Sequence, residues 1–245
     1  MASGQLSRDE ALECSGSRHA CHVMLYSDTA SQLFGRTPIR HIVLMQMRFD
    51  GLLGFPATTH LGTLRRETSD EEGGFPLKYG SLVDPLEETL EEGLTRELLE
   101  ELGVAVPVSV EDYVESRFAP SHPPTSSSSS SPLILHFYVK KIEEEQIREI
   151  EKAAASTAAD HGLEVLGMVR VPLYSTKSHA GFSCFLSHSF IGNARSQLVD
   201  SLLRLHLVSP GELRRALRSS QRMNAQAAQE LRVALELTEE PRKQL

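Results

Sequence analysis

The sequence predicts an α/β fold: a mixed β-sheet sandwiched between helices (α/β/α), with extra helices at the C-terminal end. Two observations predict it. Short apolar runs bounded by turn residues alternate with longer stretches of helical periodicity, the order that builds a sheet covered on both faces. At 245 residues, 40% of them hydrophobic, the chain is long enough to bury a good core as one elaborated domain.

In chain order, His22–Tyr26 reads as a short strand. Ile42–Met47 reads as a buried one, closed by the turn signal Phe49-Asp50-Gly51. From Ala57 to about Tyr79 the chain is polar and unpatterned, which predicts a loop. Pro85–Leu102 is predicted as a helix stopped by Gly103. Val104–Val108 and Asp112–Arg117 follow as strands. Pro120–Pro132 holds six consecutive serines and four prolines; such a segment cannot pack a core and is expected to be a mobile loop. Leu133–Val139 alternates as a strand, Glu143–Ala159 is a helix, and Glu164–Val171 is a strand running into Pro172. Phe190–Leu207 is a helix with apolar positions at Leu198, Leu202 and Leu205. Two further helical stretches, Pro210–Arg218 and Met223–Leu237, complete the chain.

The formal net charge of -8 argues against a protein that coats nucleic acid generally, while Arg36, Arg40 and Arg48 leave room for a local basic groove. Three cysteines with neither zinc nor disulfide spacing fit a reducing compartment. No apolar run approaches the ~20 residues that span a bilayer, and the first residues lack the build of a signal peptide. A cytosolic or nuclear protein with no membrane partner is expected.

The most informative stretch is Arg96-Glu-Leu-Leu-Glu-Glu-Leu-Gly103. Leu94, Leu98, Leu99 and Leu102 mark an apolar face. Glu97, Glu100 and Glu101 stand at i, i+3 and i+4, so their carboxylates crowd on another. Each like-charged pair costs about 0.2–0.5 kcal/mol, and the acids lie at the end of the helix where the dipole prefers cations. Local rules broken this way point to a site. A hard divalent cation would turn the repelling groups into ligands. A solvated acidic face is the plainer reading of three glutamates alone, but the full string is more restrictive.

That string fits R-E-U-x-E-E-x-G-U, where U is apolar, with Leu98 and Val104 at the U positions. It resembles the C-terminal half of the signature of the Nudix hydrolases, which cut diphosphates linked to a nucleoside. Further strings resemble one branch of that superfamily, nuclear enzymes that decap a small nucleolar RNA and hydrolyse inosine diphosphate. They are Arg18-His-Ala-Cys-His22, Leu33-Phe-Gly-Arg36, Leu44-Met-Gln-Met-Arg-Phe-Asp-Gly51, Gly54-Phe-Pro56, Asp160-His-Gly-Leu-Glu-Val-Leu-Gly167, Val169-Arg-Val-Pro-Leu-Tyr174 and Ser189-Phe-Ile-Gly192.

The resemblance implies a Nudix hydrolase domain over residues 1–215. It would carry an inserted loop at 57–82 and the Ser/Pro-rich loop at 120–132, with a helical or partly disordered tail at 216–245. It implies catalytic and metal-binding roles for Glu97, Glu100 and Glu101, holding Mg²⁺ or Mn²⁺, with Co²⁺ as a further candidate. It places the purine-diphosphate contacts on His22, Arg48, Phe55 and Gln197. Taken singly, Phe55 reads as a core aromatic, His22 as a structural histidine, and Arg48 as either site or surface ion pair. A glycine carbonyl is expected near the metal. Gly73-Gly74 keeps the residue types of the family and Gly80 keeps the spacing to Arg96; Gly80 is the reading adopted. Arg96 would orient a box acid. Asp160, His161 and Glu164 would form a strand-entry network, with Glu164 available for extra coordination or base duty. Arg117 stands where relatives carry a histidine that assists the metal; arginine cannot ligate a cation, and His122 is a substitute.

The implied substrates are purine nucleoside diphosphates of the IDP or dIDP type and the 5′ cap of RNA. The implied assembly is a homodimer. The implied location is the nucleus, nucleolus and nucleoplasm, together with the cytoplasm. The family also contains a catalytically silent relative that binds RNA and a chromatin-repair adaptor and lacks the box glutamates, so a binding module is the alternative. Within the enzyme reading, ADP-ribose is an alternative substrate.

Overall fold

The computed structural model describes residues 5–14, 16–56, 89–119, 132–176 and 180–239. In chain order its elements are β1 (Gln5–Leu6), α1 (Arg8–Glu13), β2 (Arg18–Asp28), β3 (Gln32–Leu33), β4 (Thr37–Pro38), β5 (His41–Arg48) and β6 (Leu53–Gly54). Then come α2 (Leu90–Leu102), a 3₁₀ turn at Val110–Asp112, β7 (Tyr113–Phe118), β8 (Leu133–Lys141), α3 (Glu144–Ala154), β9 (Val165–Arg170), α4 (Phe182–Ser187), α5 (Ala194–Arg204) and α6 (Pro210–Glu239).

Ala20 to Leu25 are all buried. A strand buried on both faces reads as an unbroken apolar run and belongs in the middle of a covered sheet. Accordingly β2 is central, in the order β1-β7-β8-β2-β5-β6, with β9 also paired to β5. It runs parallel to β8 over nine residue pairs, from Arg18↔Leu133 to Tyr26↔Lys141, and antiparallel to β5. β3 and β4 form a separate hairpin.

The two faces bury different helices. On one, Cys21, Val23 and Leu25 of β2 meet Leu90, Leu94, Leu98 and Leu102 of α2 and Ile147 and Ile150 of α3. On the other, Met24 and Phe137 meet Phe182 and Phe185 of α4, Leu198 and Leu202 of α5, and Leu213 and Ala216 of α6. The α/β/α sandwich with extra C-terminal helices therefore holds.

Several element limits differ from expectation. The apolar face of α2 runs through Leu90, Leu94, Leu98 and Leu102, whereas Leu99 is half exposed. α2 spans Leu90–Leu102 among the described residues; the expected start at Pro85 lies outside them. Thr89 accepts a hydrogen bond from the Glu92 backbone N–H while the Glu92 carboxylate accepts one from the Thr89 backbone N–H, a reciprocal cap. Gly103 ends α2 with φ 69. A Cβ there would stand 2.7 Å from Thr157 Oγ1, so glycine serves both the left-handed turn and the close approach of the α3 end.

Val104–Val108 is not a strand. Pro107 has no N–H for a ladder, and the N–H of Val108 is taken by Thr95 Oγ1 at 3.0 Å. α3 stops at Ala154, short of Ala159. α5 starts at Ala194, because Ser189–Ile191 is extended and bonded to Leu53 on both sides. Two expected C-terminal helices are one continuous α6. The loops read over 57–82 and 120–132 lie outside the described residues, apart from Pro132. Among the described residues no helix is long and apolar enough to cross a membrane.

Candidate active site

Two clusters of polar side chains lie on opposite faces of the sheet. The first gathers at the C-terminal end of α2. Glu97 and Glu101 are buried, at 6% and 7% exposure, while Glu100 is exposed. Arg96 Nη1 donates to Glu97 Oε1 at 2.6 Å and lies 3.6 Å from Glu100, the pairing with a box acid expected of it. From β5, Gln46 Nε2 donates to Glu101 Oε1 at 3.4 Å. The amide oxygen of the same side chain, Gln46 Oε1, is buried without a hydrogen-bond partner.

Asp160 and Glu164 approach from the turn before β9. That turn is fastened by the Ala159 N–H donating to the Glu100 carbonyl at 2.9 Å and the Phe49 N–H donating to the Glu164 carbonyl at 3.0 Å. Burial, followed by the Glu100 charge, raises the Asp160 carboxyl above its ordinary range. Burial raises Glu164 as well, with Asp160, Glu97 and Glu100 adding to it and Arg48 opposing. The acids therefore feel one another, and an added cation would relieve all of them.

Among the described residues no three His, Cys, Asp or Glu side chains converge into a ready coordination sphere. Arg96 holds two of the acids, Glu97 and Glu100. The donors nevertheless fit a hard divalent ion. They are all oxygens, two of the carboxylates are buried, and the Gln46 amide oxygen beside Glu101 is unsatisfied. Gly80 lies outside the described residues, as do Gly73, Gly74 and His122.

The second cluster faces α5. His22 Nε2 and Gln197 Oε1 are 2.9 Å apart. The amide oxygen can only accept, so Nε2 carries the proton. Burial pushes the His22 pKa down to about 4, with the Gln197 bond opposing; the ring is neutral at pH 7. His22 Nδ1 is then a bare acceptor and Gln197 Nε2 an unused donor, both buried without partners. Phe55 is 2% exposed. Its ring lies parallel to His22 at 6.4 Å and tilted against Phe137 at 5.2 Å. Phe55 and His22 are thus parts of the core as well as of the cluster.

Arg48 ends β5. Its Nε is 3.3 Å from Asp50 Oδ2 and its charge reaches Glu164, so it belongs with the acidic cluster more than with His22. Arg117 pairs with the buried Glu115 at 2.6 Å and lies 3.8 Å from Asp200 on α5.

Gln46 was missed from the sequence. Its signal was a polar residue inside the buried run Ile42–Met47. Glu115 and Asp200 had no sequence signal, since only the tertiary fold brings them to Arg117.

A family model described as Nudt16-like, U8 snoRNA-decapping enzyme-like, matches residues 19–67 and 68–208. The chain is 41% identical over 222 residues to the U8 snoRNA-decapping enzyme of Xenopus laevis, covering 89% of this chain and 90% of that protein. It is 44% identical over 198 residues to the mouse U8 snoRNA-decapping enzyme, covering 79% and 85%. It is also 38% identical over 229 residues to the mouse Tudor-interacting repair regulator protein, covering 93% of each.

Proposed function

The chain belongs to the Nudt16-like family of Nudix hydrolases, and from that premise we propose that it is a metal-dependent hydrolase of phosphoanhydrides in purine nucleoside diphosphates of the IDP type and in the 5′ cap of RNA. The observation that carries this reading is the trio Glu97, Glu100 and Glu101 at the end of α2, two of them buried. Glu97, Glu100 and Glu101 would hold Mg²⁺ or Mn²⁺, with the Gly80 carbonyl as a further ligand. When bound, such ions neutralise the diphosphate and lower the pKa of a water.

The chain's own residues do the rest. Arg48 forks onto phosphate oxygens. Arg96 fixes the Glu97 carboxylate, and Gln46 fixes Glu101. Glu164, with its raised proton affinity, accepts the proton of the attacking water. The new P–O bond forms as the anhydride P–O bond breaks, and the electron pair leaves with the phosphate or nucleotide.

On the other face, the free acceptor of His22 and free donor of Gln197 suit a purine edge that offers an N–H and a carbonyl. Hypoxanthine and guanine have both; adenine reverses them. Phe55 lies parallel to His22 in the same cluster. Action in the nucleus, nucleolus and cytoplasm, and a homodimer, complete the proposal. The test is phosphate release from IDP and 5′-end release from capped RNA with Mg²⁺ or Mn²⁺. Wild-type turnover by Glu101→Gln would overturn it.

A second reading is a binding module for RNA or a protein partner. The 38% identity to the Tudor-interacting relative over 93% of the chain favours it. Normal metal binding with no hydrolysis at high protein concentration would promote it over the enzyme.

A further inference from the structure

The solvent-facing aromatic beside the acidic cluster is Phe49, on the turn after β5. It is 56% exposed, whereas Phe55 is buried between His22 and Phe137. Phe49 has no visible task in the core, yet its position is tightly fixed. Its N–H donates to the Glu164 carbonyl at 3.0 Å, and the Gly51 N–H closes the turn onto the Arg48 carbonyl at 2.9 Å. The Leu52 N–H donates to Asp50 Oδ1 at 3.0 Å. The Arg48 guanidinium lies over the ring, with Cζ 5.5 Å from its centroid. An exposed ring on a fixed backbone, backed by a cation, is the usual platform for an unpaired base.

We propose that Phe49 stacks the first transcribed base of a capped RNA, while the cluster of His22, Phe55 and Gln197 takes the base on the other side of the anhydride. The inference rests on the anhydride-hydrolase reading and divides its two substrate classes. A nucleoside diphosphate has a base on one side of the bond and leaves Phe49 unused. A cap joins nucleosides on both sides. Stacking tolerates every base, so Phe49 adds affinity for the RNA body without selecting its sequence.

The test compares wild type with Phe49→Ala, Phe49→Leu and Phe49→Trp, each checked for wild-type circular dichroism. KM is measured for capped oligoribonucleotide and for IDP, and the affinity of a fluorescent capped oligoribonucleotide is measured in parallel by anisotropy. Loss of one stacked base raises the capped-RNA KM and Kd roughly tenfold in the Ala and Leu variants. Trp restores both, and the effect on IDP is far smaller. Unchanged capped-RNA KM and Kd in the Ala variant overturn the proposal. An equal loss on both substrates also overturns it, because Phe49 then only supports Arg48. If wild type hydrolyses neither substrate, the enzyme reading fails by itself, and the anisotropy comparison still decides whether Phe49 holds RNA.

Discussion

The two ends of α2 carry the same residue type in opposite circumstances. At the N-terminal end, Glu92 closes the cap with Thr89. There Glu91 takes both Arg8 nitrogens, at 2.9 and 3.2 Å, and the Tyr138 hydroxyl at 2.8 Å. Both acids stand at the positive end of the helix dipole. At the C-terminal end, Glu97, Glu100 and Glu101 face the negative end with Glu164 and Asp160 nearby, and Arg96 pairs with Glu97 and approaches Glu100. One end is organised for stability, and the other keeps acids that repel one another, as the proposed site requires. Substitutions should therefore separate the two properties along a single helix.

The largest expected effect is at the C-terminal end. Glu101→Gln should lower kcat for IDP by roughly 10²–10³-fold, the loss typical of a removed electrostatic stabiliser of a transition state. Its urea midpoint should match wild type or exceed it, since one repelling charge is gone. Glu91→Ala should do the reverse. It leaves Arg8 and the buried Tyr138 hydroxyl without their acceptor, and about 3 kcal/mol of stability should disappear, while kcat per folded molecule stays within about twofold of wild type, set by the uniform nature of a remote change. If both variants lose activity equally, the division of labour along α2 is wrong.

Acid should act on the sheet. Burial holds His22 down to about 4 and His136 down to about 3. Both lie below the ordinary histidine value near 6.5, so the unfolded chain binds protons first. Stability is then complete above about pH 6.5 and falls as pH drops through the folded values, by at most about 1.4 kcal/mol per pH unit per histidine. His136 is hydrogen-bonded to His19 and Ser116. Urea midpoints between pH 7 and 4.5 should fall steeply in wild type and less steeply in His136→Gln. The smallest effect is expected at the cap, where Thr89→Ala should cost about 1 kcal/mol, read as a shift in thermal midpoint with no change in KM.

The α2 comparison also indicates what the sequence discloses. Acids that repel one another inside a short motif are visible without a structure, and so is the mixed sheet, because β2, β5 and β8 are apolar runs of strand length. The start of α2 is visible too, since Thr89 and Glu92 have the reciprocal-cap spacing. Val104–Val108 misled because its apolar pattern records burial of Val106 and Val108 rather than pairing. α1 and α4 are only six residues each, too short for a helical period to stand out. The pairing of His22 with Gln197, 175 positions away, is set by the tertiary packing of β2 against α5, which no local pattern encodes. The exposure of Phe49 against the burial of Phe55 is of the same kind.

The central claim is that the C-terminal acids of α2 hold divalent cations. Calorimetric titration of Mn²⁺ into wild type and into Glu101→Gln tests it most directly. Saturable binding by wild type and at least tenfold weaker binding by the variant, on the scale of a lost supporting or direct ligand, is the predicted result. Identical isotherms for the two proteins would contradict it.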